Sequence, residues 1–304
     1  MCYETEIDDA PAYELVVSLY AYIHKKTHRY LDLGSSWIKE TAKRLTPKLV
    51  AELEDERFEV LHRLNLLIWQ CPGKRTPEEL LQWLDQLPVS EIYERMVPWV
   101  NTFNEELGVI RDRMVYILDQ WNQQYFQHFP SSLLVELKRD AQEKRLLLKG
   151  MNMPDFSEQV THGVVIEPSR DIKKILFVPQ YHCAPMTITD TFNGLITCQY
   201  PLQRDTNTQD EPPLSLMRMI TGYADKNRLN MLRFIAQRPR SFTEIATHTG
   251  LAKSNVHYHL RTLRYAGLIR THYAGGKYDR YSLREQALHS LQKELHSYIR
   301  GETK

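Results

Sequence analysis

The sequence has 304 residues, of which 42% are hydrophobic and 25% charged, and its net charge is +1. These are values of ordinary globular chains, and the length favours two domains over one. No apolar run approaches the roughly 18 residues of a membrane-spanning helix. The four cysteines are scattered without a CxxC pair, and the N-terminal stretch is acidic. Together these features predict a soluble, cytoplasmic protein with reduced thiols, no signal peptide and no contact with a membrane.

The charge is distributed unevenly along the chain. Residues 214–304 contain 16 Lys and Arg against 6 Asp and Glu, a net charge of +10. The preceding 213 residues contain 23 against 32, a net charge of −9. This asymmetry predicts that only the C-terminal third binds a polyanion.

Residues 11–150 are predicted to form one helix after another. Thr46-Pro47 and Thr76-Pro77 each provide a capping side chain followed by proline at the first helical position. Pro130 and Gly150 are expected to end two later helices.

The pattern changes after Pro154. The stretches GVVIEP, KKILFVP and NGLITCQYP are short, β-rich and bounded by Gly or Pro, so they predict strands of one small sheet packed on the helices. Residues 203–213 are polar and end in proline, as expected of a linker. We therefore predict a mainly α (α+β) fold. A helical domain with a small sheet spans 1–202, a linker 203–213, and a second domain 214–304.

The second domain has the predicted order helix, helix, short helix, helix, β-hairpin, helix. Gly250 follows the short helix where a left-handed residue is needed. Ala274-Gly275-Gly276 separates two β-prone runs and predicts the hairpin turn. The last three helices before the hairpin, followed by its two-stranded ribbon, have the order of a winged helix-turn-helix.

The helix after Gly250 has two unlike faces. Small or apolar residues recur on one line of the helix: Ala252, Val256, Leu260, Leu263 and Gly267. Polar residues occupy the opposite side and its flanks: Ser254, Asn255, His257, Tyr258, Arg261 and Tyr265. Hydrogen-bond donors without an acid suit the major groove of DNA, where base edges and phosphates present acceptors.

Specific contacts to DNA follow from this arrangement. We predict base or near-base contacts for five residues: Ser254, Asn255, His257, Tyr258 and Arg261. We predict phosphate contacts for four cations: Lys253, Arg264, Lys277 and Arg280. An isolated basic helix is more often a solvated surface. Here the glycine turn, the acid-free face, the glycine-rich hairpin and the basic region coincide, which favours DNA binding.

Residues 214–300 resemble the ArsR-type winged-helix transcription regulators of bacteria. The matching positions are Asp225, Arg228, Leu229, Glu244-Ile245-Ala246, His259-Leu260, Leu263, Ala266-Gly267-Leu268-Ile269 and Tyr281-Ser282-Leu283. The layout also resembles a subgroup with a long N-terminal helical region, in which an LVP strand (Leu176-Phe177-Val178-Pro179) and a YP strand (Tyr200-Pro201) precede the DNA-binding domain.

The resemblance implies a homodimeric, sequence-specific regulator, which we expect to be a repressor. Its two recognition helices would occupy half-sites of a pseudo-palindromic operator about one helical turn apart. The N-terminal domain would serve dimerisation, the sensing of a small-molecule effector, or both. An interaction or sensor protein whose winged helix binds a protein partner is the alternative.

Three positions depart from the family pattern. Ala252 stands where a capping Ser or Thr is common, which weakens the helix start by ~1 kcal/mol. His257 stands where Ser is common, so it is expected to set the operator preference, whereas His259 follows the family and is expected to be structural. Ser241-Phe242-Thr243 replaces the Cys-x-Cys of metal-sensing members, so no soft-metal site and no cofactor are expected.

Other candidate sites have simpler interpretations. His289, Glu294 and His296 share the last helix and would suit a metal across a dimer, but family C-terminal helices usually pack at the dimer interface. His182 and Cys183 would point to opposite faces of an extended segment, and with Cys198 they are expected to be core or surface residues.

Aromatic side chains of the N-terminal helices suit either a ligand cavity or the core, and the core is the commoner role: Trp69, Trp83, Trp99, Trp121, Tyr125 and Phe126. The sequence has no phosphate loop, nucleophile elbow or HExxH motif, so we expect no enzymatic activity.

Overall fold

The computed structural model describes residues 3–54, 59–103, 105–204, 211–274 and 276–301. The chain divides into two compact units. The first unit consists of Met1–Leu146 and Arg170–Leu202, and the second unit consists of Leu147–Ser169 and Gln203–Lys304. Part of the predicted linker, residues 205–210, lies outside the described residues.

The elements follow in chain order, with short 3-10 turns at Lys25–Tyr30 and Phe126–His128. The helices are α1 (Pro11–Ile23), α2 (Gly34–Ala42), α3 (Pro47–Leu53), α4 (Glu59–Gln70), α5 (Pro77–Gln86), α6 (Val89–Met96), α7 (Leu107–Gln124), α8 (Ser131–Leu148), α9 (Met153–Thr161), α10 (Leu214–Tyr223), α11 (Lys226–Ala236), α12 (Phe242–Thr249), α13 (Lys253–Tyr265) and α14 (Gln286–Arg300). The strands are β1 (Glu4–Ile7), β2 (Val164–Ile166), β3 (Lys174–Gln180), β4 (Ile188–Phe192), β5 (Leu195–Pro201), β6 (Arg240–Ser241), β7 (Ile269–Ala274) and β8 (Lys277–Leu283). No helix in the described parts of the chain is long and apolar enough to cross a membrane.

The first unit contains a four-stranded sheet in the order β1-β3-β5-β4. The strands β1, β3 and β5 run parallel, and β4 is antiparallel to β5. Every residue of β5 is buried, as is all of β3 except Lys174, which is typical of parallel strands covered on both faces. The mainly α fold with small sheets is confirmed, and the LVP and YP segments lie in β3 and β5 as predicted.

Thr46 and Thr76 cap helices in the predicted way. The Thr46 hydroxyl accepts from the backbone N–H of Leu49 at 3.4 Å, and the Thr76 hydroxyl accepts from that of Glu79 at 3.3 Å. Each is followed by proline at the start of its helix.

The six aromatic residues of the N-terminal helices belong to the core. Trp121, Tyr125 and Phe126 are buried, and Trp69, Trp83 and Trp99 pack against the same cluster while partly buried. The Trp121 indole N–H donates to the Ser18 hydroxyl at 2.8 Å, which satisfies the polar atom of the largest buried side chain. The core interpretation of these residues is confirmed.

His182 and Cys183 lie in a turn after β3, so the expectation of an extended segment is wrong. Both are fully buried, and the His182 ring pairs with the buried Glu14 carboxylate through Nδ1 and with the Tyr125 hydroxyl through Nε2 at 2.7 Å. Cys198 is buried in β5. His182 is thus bound within a core network, and no group of three metal-binding residues occurs in the described part of the chain.

The second unit contains a four-stranded sheet in the order β2-β7-β8-β6. Strand β2 runs parallel to β7, with Val164 opposite Thr271, so the prediction that GVVIEP joins the N-terminal sheet is wrong. The backbone explains this pairing. Gly163 has φ +130° and its carbonyl accepts from the Thr271 N–H at 2.7 Å. A Cβ at Gly163 would collide with the Ile269 carbonyl oxygen, so the close approach requires glycine.

A buried carboxylate joins α9 to the same sheet. Glu158 Oε2 is 2.8 Å from Arg270 Nε on β7, and Oε1 is 3.3 Å from Arg284 Nε. Burial lowers the pKa of the Arg284 guanidinium, and Glu158 partly offsets that effect. Residues 147–169 therefore belong with the C-terminal unit, which corrects the predicted domain range 1–202.

Candidate nucleic-acid interface

Helix α12 begins with a reciprocal capping box. The Ser241 hydroxyl accepts from the Glu244 N–H at 3.3 Å, and the Glu244 carboxylate accepts from the Ser241 N–H at 2.9 Å. The N–H and hydroxyl of Ser241, together with Arg238, lower the pKa of Glu244 to about 2. Ser241 thus caps α12, and its side chain serves the start of this helix.

A glycine turn separates α12 from α13. Gly250 has φ +66°, and its N–H donates to the Ala246 carbonyl at 3.0 Å, as predicted for the end of the short helix. Ala252 occupies the N-cap of α13 without a side-chain hydrogen bond. It is exposed, so the expectation that it belongs to the buried face is wrong. The reason is its extended backbone, since an N-cap residue precedes the helical periodicity.

The remaining apolar face of α13 is buried as predicted. Val256, Leu260 and Leu263 are each at most 3% exposed. They pack in one cluster with Ile245 of α12 and Leu268, which precedes β7. This packing fixes which side of α13 faces solvent.

His259 lies on the buried side of α13, in contact with Asp225 and Arg228. Its Nδ1 is 3.5 Å from Arg228 Nη1 and 3.9 Å from Asp225 Oδ1. Burial lowers the pKa of His259, and the opposing effect of Asp225 is smaller. Arg228 also donates to the Gly222 carbonyl at 2.9 Å and to the Thr221 carbonyl at 2.7 Å. The predicted structural position of His259 is confirmed.

The first two turns of α13 present a polar surface. Five of the predicted contact residues are exposed there: Lys253, Ser254, Asn255, His257 and Tyr258. Arg261 and Arg264, one and two turns further along, are half-buried. We call the five exposed residues together with Arg261 the recognition face. Helix α13 contains no Asp or Glu, so this face combines donors without a carboxylate on its own helix.

His257 stacks on Phe242 of α12. Their ring centroids are 4.1 Å apart and the planes are inclined by 25°. This contact joins the two helices of the helix-turn-helix and fixes the orientation of the imidazole. The sequence predicted the outward position of His257 but gave no sign of this partner.

The hairpin lies next to α13 and contributes further cations. The Arg264 guanidinium is 4.5 Å from the ring centroid of Tyr278 on β8, a cation–π contact that links α13 to the hairpin. Lys277 is exposed at the start of β8. The Arg280 side chain is 63% exposed, and its Nε lies 3.4 Å from Asp279 Oδ2. Gly275 of the predicted turn lies outside the described residues.

Three contacts of this region were missed from the sequence. The first two are the stack of His257 on Phe242 and the packing of Arg264 on Tyr278. The third is a bridge through His272, whose Nδ1 lies 2.6 Å from Glu167 Oε1 and whose Nε2 lies 2.8 Å from the Ser282 hydroxyl. Each joins residues that neither helical nor strand periodicity relates. On α14, His289 and His296 are both exposed, while Glu294 accepts from the Ser215 hydroxyl at 3.0 Å.

Residues 225–271 match the family model of the bacterial regulatory proteins of the arsR family. The helix-turn-helix is of the ArsR type. The match runs from the Asp225 cap of α11 through the recognition face into β7, and this ArsR-type segment is characteristic of DNA-binding transcription regulators. No curated protein matches the chain significantly.

Several solved structures are similar to the ArsR-type region. An ArsR-like transcriptional regulator from Rhodococcus sp. RHA1 is 20% identical, with 28% of this chain and 80% of that chain covered and a TM-score of 0.26. NolR from Sinorhizobium fredii is 22% identical, with 29% and 87% covered and a TM-score of 0.23. The homodimeric winged helix-turn-helix DNA-binding domain of a possible ArsR-family regulator from Mycobacterium bovis is 22% identical, with 30% and 82% covered and a TM-score of 0.23.

Proposed function

We propose that this protein is a sequence-specific DNA-binding transcription regulator whose helix α13 enters the major groove. The observation that carries this proposal is the recognition face, in which the side chains of Ser254, Asn255, His257 and Tyr258 are exposed on consecutive turns without an acid on their helix. Such donors match the acceptors at guanine and adenine edges. Arg261 extends the face by one turn and is the candidate for a bidentate contact with guanine.

Phosphate contacts would position α13 without determining the sequence. Lys253 at the start of α13 and Lys277 and Arg280 on the hairpin are exposed cations at the two ends of this surface. Arg264 packs on Tyr278, and in this position it would support the hairpin while its guanidinium remains a candidate for a phosphate. The net charge of +10 over residues 214–304 supports the same role.

The functional unit would be a homodimer formed through α10 and α14. These helices are joined by the Ser215–Glu294 hydrogen bond, and both carry exposed apolar residues. Leu288 is 46% exposed and Ile299 72% exposed on α14, and Met217 is 42% exposed on α10. A second copy related by a two-fold axis would cover this apolar surface and present two recognition faces to one operator. Sedimentation of the Leu288→Glu/Ile299→Glu variant should show a monomer if this surface is the interface.

Selection of bound fragments from a genomic DNA pool by the full-length protein tests the proposed function. We expect enrichment of pseudo-palindromic sites whose half-sites are about 10 base pairs apart, centre to centre. When such a site overlaps a promoter, the protein should lower transcription in a reconstituted assay, as a repressor does. Failure to enrich any sequence would refute the proposal and favour an interaction protein whose winged helix binds a protein partner.

We further propose that a small molecule bound in the first unit controls the regulator. The support for this part is a cavity in that unit, whose chemistry is developed below.

A further inference from the structure

The first unit contains a cavity of about 340 Å³ between α4, α5, α6 and α7. Leu67, Ile92 and Met114 are among the apolar side chains that line it. The core aromatic residues that the sequence suggested for a ligand pocket do not line this cavity. The recognition face belongs to the other unit of the chain, so this cavity is a separate site.

The size of the cavity fits a small organic ligand. Its volume is roughly twice that of an engineered apolar cavity of about 150 Å³ that binds benzene. It also lies within the usual range of about 300–1,000 Å³ for small-molecule sites. The lining of this partly open cavity is mostly apolar and gives water few hydrogen-bond partners, so a hydrocarbon occupant is favoured over solvent. The expected occupant therefore has the size of a bicyclic aromatic or a medium-length aliphatic chain.

The polar side chains of the cavity select the charge of the ligand. Arg63 Nη1 donates to the Thr102 carbonyl at 2.8 Å, and Nη2 lies 3.4 Å from the Thr102 hydroxyl. These two acceptors are neutral, so they leave the positive charge of the guanidinium uncompensated at this contact. Arg111, the second arginine of the lining, is already paired with the Asp112 carboxylate at 2.5 Å, so Arg63 rather than Arg111 is the candidate to bind an anion. The described lining residues include no carboxylate. A guanidinium at the edge of an apolar cavity favours a carboxylate head group.

We propose that this cavity binds a small apolar carboxylate. The hydrocarbon body lies among the side chains of α4, α6 and α7, and the carboxylate accepts hydrogen bonds from Arg63. The inference rests on the proposed function only for its consequence, namely that such a ligand alters DNA binding. Binding itself requires no DNA and is measured without it.

Titration calorimetry of the full-length protein with naphthoate and with naphthalenemethanol tests the inference. The two probes share the bicyclic body and differ in the carboxylate. We expect one naphthoate per chain, bound at least about tenfold more tightly than the alcohol because of the charge-assisted contact with Arg63. Arg63→Met should reduce the affinity for naphthoate to that of the alcohol. Arg139→Met, which removes an arginine that is 69% exposed on α8, is the matched control and should change neither affinity.

A second pair of variants tests the location of the body. Ile110 lines the cavity, so Ile110→Trp should fill it and abolish binding of both probes. Its neighbour Val109 is 65% exposed and does not line the cavity, so Val109→Trp should leave binding intact. All five tryptophans of the native chain lie within the first unit, so their emission shows whether this unit is folded in each variant. The two Trp variants carry an additional indole, so the emission of each is compared with that of the same variant after unfolding. If Ile110→Trp fails to fold, the Arg63→Met comparison decides the question.

Several outcomes would overturn the inference. They are the absence of naphthoate binding to the folded protein, equal affinity for the two probes, and equal effects of Arg63→Met and Arg139→Met. Naphthoate binding without any enriched DNA sequence would leave this inference standing and refute the proposed function. Enrichment of a DNA sequence without naphthoate binding would support the proposed function and refute this inference.

Discussion

The buried carboxylate of Glu158 gives the sharpest prediction about how the second unit is held together. Its side chain is 10% exposed and contacts Arg270 and Arg284, whose side chains are 34% and 11% exposed. Glu158→Gln keeps the shape and removes the charge. Breaking a buried ion pair costs about 3–5 kcal/mol because it leaves an uncompensated buried charge. The Arg270 contact is partly screened by solvent and adds little. We therefore expect Glu158→Gln to lower the stability of the second unit by about 3 kcal/mol, near the lower limit, mainly through the loss of the contact with Arg284.

Hydrogen exchange followed by mass spectrometry is the appropriate assay, because the described part of the second unit contains no tryptophan to report its unfolding. A loss of about 3 kcal/mol corresponds to exchange on the order of a hundredfold faster in β7 and β8 where exchange requires opening of the unit. The double variant Glu158→Leu/Arg284→Met removes both charges and should restore most of the protection. Two results would refute the conclusion that α9 and β2 stabilise this unit. They are unchanged exchange in Glu158→Gln, and exchange in the double variant that is as fast as in Glu158→Gln.

Two further predictions concern the helix-turn-helix. Ser241→Ala removes the cap of α12 and should lower the stability of the second unit by about 0.5–2 kcal/mol, seen as faster exchange in α12; unchanged exchange would contradict this role. Burial lowers the pKa of His259, so the unfolded chain takes up a proton at this site as the pH falls below about 6.5 while the folded chain resists it. The stability contributed by neutral His259 is therefore present above about pH 6.5 and is lost as the pH falls toward its folded pKa. His259→Gln should show a weaker dependence of exchange in α13 on pH across this range, and an unchanged dependence would show that His259 is not responsible.

The helix-turn-helix was predictable because its signals are local. The apolar spacing of Val256, Leu260 and Leu263 and the left-handed position of Gly250 follow from the geometry of one helix and one turn. Ala252 was misassigned because helical periodicity was extended one residue beyond the point where the backbone becomes helical. Periodicity identifies a face but does not locate the N-cap when the capping residue has no hydroxyl or amide.

The errors in the rest of the fold arise from pairings between distant segments. GVVIEP was predicted as a strand, but its partner β7 lies more than a hundred residues later, at Thr271 and its neighbours. Strand propensity does not specify a partner, so the nearest sheet was the wrong choice. Strand β1, with the sequence ETEI, was missed because two of its four residues are acids, and its pairing with β3 determines its conformation.

The most direct test of the central claim is the ratio between the dissociation constants for a scrambled duplex and for the selected operator. For the wild-type protein at physiological salt we expect a ratio of at least about a thousand. Arg261→Ala should weaken operator binding by ~1–3 kcal/mol and lower this ratio, because a base contact is lost. Lys277→Ala should weaken both duplexes alike, reduce the salt dependence and leave the ratio unchanged. Equal weakening by both variants with an unchanged ratio would contradict the assignment of α13 as the recognition helix.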